Sequence, residues 1–209
     1  MNLALHGPIC SGKSTVAHLL RDLHGYSIVT LAKPIYVAAE LSREFIGGTN
    51  LFPVDLQDFI SALTDADNEA IYHDWLGLMS KHTEVLLSGK KPRGFLQDWG
   101  TMMRSYDEGV FIRRAIEDAE YDRSVCDDLR MSDEAWALRD AGWLLVKVDL
   151  PEEKRLERVE RLYPEQKKLL GHQTECDLAD WQSWDGVICT DCPESELPGR
   201  VQVLLEGLS

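Results

Sequence analysis

The sequence predicts an α/β protein: a parallel sheet flanked by helices, with a helical insertion and an arginine-bearing lid. Three observations predict it. Residues 7–15 read Gly-Pro-Ile-Cys-Ser-Gly-Lys-Ser-Thr and satisfy G-x-x-x-x-G-K-[ST] at every fixed position. Short apolar runs at residues 1–6, 143–150 and 184–191 read as strands and alternate with segments of helical spacing. The chain has 209 residues, 44% of them hydrophobic, enough to bury one core with a helical insertion.

The first strand leads into the glycine-rich loop. Val16, Leu19, Leu20 and Leu23 then recur at helical spacing, so a helix starts directly after it. Gly7 and Gly12 let the backbone bend tightly and bring its N–H groups close to an anion. The helix start adds unpaired donors and a positive dipole end. Gly7, Cys10, Ser11, Gly12, Lys13, Ser14 and Thr15 are therefore the candidate phosphate-binding set. Lys13 is placed to bridge β- and γ-phosphates, and the Ser14 hydroxyl to reach Mg²⁺.

Composition narrows the ligands. A formal charge of −14 argues against long nucleic acids, so an anionic substrate must be held by a local cluster of Arg and Lys. No stretch approaches the roughly 20 apolar residues of a membrane span. The N-terminal strand is no signal peptide, and a cytoplasmic location is expected. Five cysteines, an odd number, argue against a disulfide framework. Cys189 and Cys192, with His172 and Cys176, have the residue types of a zinc site. Cys189, however, ends the apolar run of the last strand, and the thiols read as buried or incidental.

Residues 24–29 close the first helix, with Gly25 as its cap, and form a second strand. Lys33 stands before a helix begun by Pro34, where a cation can meet a substrate phosphate. Residues 54–88 carry a helical period, and their scattered carboxylates read as a solvated face. The helix over residues 95–104 is entered through a basic turn and presents Gln97, Thr101 and Arg104 on one face, with Arg93 at its start. An amide, a hydroxyl and a guanidinium in a row can read a base edge and grip a phosphate. A further helix covers residues 107–120.

Residues 123–130 form a short strand that ends in Asp127 and Asp128, followed by Arg130. In an open parallel sheet the carboxyl ends of strands border the ligand crevice. Either aspartate, Asp127 or Asp128, can hold Mg²⁺ or its waters, or take a proton from an attacking oxygen. Strand alternation turns the two side chains in different directions, so one of them faces the site. The next helix carries Glu134, with Ser132 or Asp133 as its N-cap, and ends near Gly142. The helix after Pro151 bears Arg155, Arg158 and Arg161 at spacings that keep them near one face, the pattern of a lid over phosphates spanning about residues 151–175. Interleaved glutamates offer a salt-bridged helix instead.

Several of these pieces together resemble one family. GPICSGKST, LAKPI, RGFLQDWGTMMR, DDLRMSDEA, the arginine helix after VDLPEEKR, and GHQTE before the last strand are similar to the P-loop nucleoside monophosphate kinases, most of all the phage-type deoxynucleoside monophosphate kinases. The resemblance implies a P-loop NTPase-type sheet and a helical monophosphate-binding region at about 33–110. It implies transfer of the γ-phosphoryl group of ATP·Mg²⁺ to a (deoxy)nucleoside monophosphate. Lys13, Asp128, Arg130, Arg155 and Arg158 would be catalytic; Lys33, Arg93, Gln97, Thr101, Arg104, Arg130 and Glu134 would bind the acceptor; Ser14 with Asp127 and Asp128 would face the metal. It leaves a homodimer as the oligomer to test, and places a phage-encoded chain in the host cytoplasm. Residues 47–90 align with nothing in the family. Two other readings stand beside it: a P-loop kinase of the dephospho-coenzyme A or phosphomevalonate type, and a non-enzymatic ATP-binding module.

Overall fold

β1 (Leu3–His6) is the middle strand of a five-stranded sheet whose order is β2 (Ser27–Val29), β3 (Ser124–Leu129), β1, β4 (Leu144–Asp149), β5 (Gly186–Cys189). Every pairing is parallel. This computed structural model describes residues 1–49, 51–119, 122–162, 178 and 180–208. The chain divides into two compact units, residues 1–31 with 115–209, and residues 32–114.

The first unit is built on the sheet. Leu3 and Leu5 of β1 point to one face together with Val125, Val146, Val148 and Ile188. α1 (Lys13–His24) covers that face with Val16, Ala17 and Leu20, and α9 (Leu197–Gly207) with Leu197, Val201 and Leu204. Ala4, Cys126 and Leu145, one residue out of step, are also fully buried. Burial on both faces is why β1 and the start of β4 read as apolar runs. His6 lies 5.2 Å from Trp184 in a stacked pair, and Trp184 continues through Trp181 to Trp136 of α7 (Ser132–Asp140). α8 (Glu152–Leu162) follows β4 and buries Val159.

α1 ends as expected: Gly25 is left-handed, and its N–H donates to Arg21 O. The expected cap of α7 is corrected. Ser132 and Asp133 both lie inside the helix, and Glu134 reaches back instead, its Oε2 accepting from the N–H groups of Arg130 (3.0 Å) and Met131 (3.1 Å). A carboxylate three residues along the helix reaches back to satisfy two unpaired donors at once.

The second unit is helical: α2 (Lys33–Ile46), α3 (Pro53–Ser61), α4 (Asn68–Leu87), α5 (Arg93–Tyr106) and the start of α6 (Val110–Asp118). Its core is aromatic, with Phe59, Trp75, Trp99 and Phe111 in mutual ring contact. The buried indole N–H of Trp75 donates to Ser42 Oγ at 2.8 Å, and Ser42 donates on to Ala38 O at 2.7 Å. The helical period of residues 54–88 is interrupted at 62–67, where Asp67 caps α4 by accepting from Ala70 N at 3.1 Å. Several acids expected to be only solvated have this kind of local work: Asp55 accepts from Phe52 N and Asp74 from the Tyr106 hydroxyl.

Candidate functional site

The loop between β1 and α1 takes its shape from two left-handed residues, Cys10 (φ 64°) and Gly12 (φ 98°). Alternating handedness turns successive N–H groups toward one concavity, the geometry of an anion nest. Gly7 serves differently from the tight bend expected of it. Its φ is not left-handed, but a Cβ there would lie 2.5 Å from both Ser11 Oγ and Val148 O. The loop backbone therefore runs against β4 with no room for a side chain. Lys13, the first residue of α1, turns its ammonium back over the loop and donates to Gly7 O and to Pro8 O. Ser14 and Thr15 are exposed on the first turn of α1.

The two aspartates at the end of β3 lie in a bulge. Ala4 pairs with Cys126 and His6 with Leu129, so β3 fits one more residue than β1 into that interval. Asp127 points to the loop: Ser14 Oγ donates to its Oδ2 at 2.9 Å. Asp128 points to the end of the β2 connection, where its Oδ1 accepts from Leu31 N at 2.9 Å and from the Cys126 thiol at 3.3 Å. Burial, with the neighbouring Asp128 charge adding to it, pushes the Cys126 thiol well above its ordinary pKa, so it remains a protonated donor. The Ser14 hydroxyl and the Asp127 carboxylate are hard oxygen donors of the kind Mg²⁺ prefers. Among the described residues no group of three or more His, Cys, Asp and Glu side chains is placed to hold a metal ion; His172 and Cys176 lie outside those residues.

Arg130 follows the bulge and is exposed, its backbone N–H held by Glu134. Glu134 is only 4% exposed, and its carboxylate is committed to that turn. The three arginines of α8 differ from one another. Arg155 is buried and grips Glu152 through Nε (2.8 Å) and Nη2 (2.6 Å), which holds the Glu152 carboxyl below its usual range. Arg158 donates to Thr190 O at 3.2 Å, while Arg161 is exposed. The expected lid beyond α8, residues 163–175, lies outside the described residues.

Sequence reasoning missed Thr190. This residue follows β5, is 4% exposed, and donates from Oγ1 to Ser11 O of the loop at 2.6 Å. The only signal was its place at the carboxyl end of a strand, where ligand crevices form.

In the helical unit, Arg93, Gln97, Thr101 and Arg104 are all exposed on α5. At 100° per residue they fall within about 80° of arc, one polar stripe. The guanidinium carbon of Arg104 lies 4.8 Å from the Phe111 ring centre, a cation–π contact that steadies the side chain. Lys33 is exposed at the first turn of α2. One turn of that helix further on, Tyr36 accepts from Lys91 Nζ at 3.1 Å.

No helix among the described residues is long and apolar enough to cross a membrane. No family model matches the chain. Nor does any curated protein. Among solved structures it is similar to shikimate kinase from Aquifex aeolicus (18% identity, TM-score 0.47, over 99% of this chain and 97% of that one). It is similar also to a sugar kinase from Janibacter sp. HTCC2649 (16% identity, TM-score 0.43, over 98% and 94%). A third is the Mycobacterium tuberculosis APS kinase CysC in complex with AMPPNP and APS (13% identity, TM-score 0.38, over 98% and 96%).

Proposed function

We propose that the chain is an ATP-dependent phosphotransferase that converts a (deoxy)nucleoside monophosphate to the diphosphate. The observation that carries the reading is the contact of Ser14 with Asp127 beneath the phosphate loop. It joins the hydroxyl of the G-K-S motif to a carboxylate at a strand end, the two protein oxygens that a phosphate-bound Mg²⁺ needs. Phosphoryl transfer asks for positioning and charge neutralisation more than for covalent chemistry, and the residue set fits that demand. The loop N–H groups and Lys13 hold the donor phosphates. Ser14 and Asp127 would hold Mg²⁺, which when bound offsets charge on the phosphate oxygens. Arg130 and Arg158 are the cations offered to the transferring group, with Arg155 fixing the α8 turn through Glu152. Asp128 secures the backbone at Leu31, and Glu134 sets the turn that carries Arg130.

The acceptor assignment rests on the α5 stripe. Arg93 and Arg104 suit a monophosphate, and Gln97 with Thr101 suits a base edge. Lys33 adds a cation at the start of α2. The test is ADP release with ATP and Mg²⁺ against dAMP, dGMP, dCMP, dTMP, their ribo forms, dephospho-coenzyme A and phosphomevalonate. Turnover on one or more nucleotides is expected. Turnover only on another acceptor would keep the transferase and discard the nucleotide assignment. ATP bound but consumed with none of them would replace the enzyme by a nucleotide-binding module. In a transferase of nucleotides, Arg104→Ala should raise the KM for the monophosphate far more than that for ATP.

A further inference from the structure

Thr190 is tied down on three sides. Its N–H donates to Asp149 O of β4 at 2.9 Å, extending the sheet ladder one residue beyond β5. Its carbonyl accepts from Arg158 of α8 at 3.2 Å. Its side chain turns toward the loop: Oγ1 donates to Ser11 O at 2.6 Å, with a longer contact to Asp149 O at 3.4 Å, and the Thr190 methyl lies 3.2 Å from where a Cβ on Gly12 would stand. A polar side chain 4% exposed at a strand end thus reaches across 179 residues of sequence to one carbonyl of the loop.

That carbonyl belongs to the peptide joining Ser11 to Gly12. In a planar trans peptide the C=O and the following N–H point in opposite directions. Holding Ser11 O against Thr190 therefore turns the Gly12 N–H away from β5. Gly12 has the conformational freedom to let this peptide rotate, since glycine accepts either sign of φ. A rotated peptide would offer a phosphate a carbonyl oxygen in place of an N–H donor. We propose that Thr190 is a positioning residue for the phosphate loop: its hydroxyl fixes the Ser11–Gly12 peptide with the N–H outward, ready for the donor phosphates, and its carbonyl links that loop to Arg158. The inference rests on the phosphotransferase reading, but its test separates the two.

The test compares Thr190→Val, which keeps the shape and removes the hydroxyl, with Thr190→Ser, which keeps the hydroxyl. Amide hydrogen exchange over residues 9–14 is measured without nucleotide, and KM for ATP and for the acceptor with both present. In Thr190→Val, exchange should quicken and the KM for ATP rise about tenfold, the worth of one well-placed hydrogen bond, with the acceptor KM unchanged. Thr190→Ser should recover to within about threefold. Wild-type exchange and KM in Thr190→Val would overturn the proposal. So would a loss confined to Thr190→Ser with Thr190→Val near wild type, which would make packing of the methyl on Gly12 the cause. If the wild-type chain turns over no acceptor, the kinase reading fails; ADP·Mg²⁺ affinity is then compared, and equal affinity in wild type and Thr190→Val overturns the positioning role on its own.

Discussion

Ser14 Oγ donates to Asp127 Oδ2 across 2.9 Å, joining the first turn of α1 to the bulge of β3 over 113 residues of sequence. Asp128, the next residue, faces away and accepts from Leu31 N. The two carboxylates should therefore fail differently. Asp127→Asn is expected to lose about 10²-fold or more in turnover and to lose its response to Mg²⁺. Asp128→Ala should keep that response while its melting temperature falls, because it leaves a backbone N–H unpaired at a cost of about 1–3 kcal/mol. A Mg²⁺ titration of kcat beside a thermal melt checks both. The opposite assignment of effects would move the metal to Asp128.

Lys13 already leans over the loop, bonded to the carbonyls of Gly7 and Pro8. A phosphate offers the ammonium a stronger partner than a neutral carbonyl. Lys13→Ala is expected to lower kcat by about 10²-fold or more through lost charge stabilisation, with a native circular dichroism spectrum. Turnover near wild type would remove the loop from the chemistry.

Two glycines should respond to alanine in opposite ways. At Gly7 the new Cβ would meet the Val148 carbonyl at 2.5 Å, a backbone atom that no rotamer change can move aside. The expected loss is about 1–3 kcal/mol, with the loop displaced and nucleotide binding lost. At Gly77, on the exposed side of α4, a Cβ meets nothing within 4 Å. Gly77→Ala should gain about 0.5–1 kcal/mol by removing backbone freedom from the unfolded chain. Urea midpoints of the two variants against wild type decide the point.

These sites also mark what could be read from the sequence. The loop was legible because its determinants are contiguous: strand, two glycines, lysine, helix. β1 and β4 were legible because strands buried on both faces leave largely apolar runs, broken in β4 only by Lys147 and its closing Asp149. β3 was less so, since two aspartates interrupt it, and which one faces the loop depends on a bulge that has no sequence signature. The break at 62–67 was hidden by apolar Leu63 and Ala66, which join the hydrophobic core of the helical unit and keep the helical pattern running through a turn. Thr190 carried only the weak signal of its place at a strand end. A threonine after a strand is ordinary, and only the register of β4 with β5 carries it to Ser11.

The helical unit should carry its own acid sensitivity at Asp107. The Arg113 guanidinium donates to both carboxylate oxygens, and Thr64 Oγ1 adds a bond of 2.6 Å. Arg113 first, then Thr64, hold the Asp107 carboxyl below its ordinary value of 3.8, against the opposing effect of burial. A carboxylate whose folded pKa is depressed contributes stability that is complete above the unfolded pKa and fades as pH falls through the folded one. Stability should thus decline on acidification below about pH 4. Arg113 is 52% exposed, so solvent screens much of the attraction and the effect should be modest. Asp107→Asn removes the charge while keeping an acceptor for Thr64. The gap in melting temperature between wild type and this variant should be largest near neutral pH and close as the pH is lowered toward about 2. Added salt at neutral pH should narrow the same gap. A gap that stays constant from neutral to acid pH would assign the loss to geometry at the turn between α5 and α6 and not to the charge on Asp107.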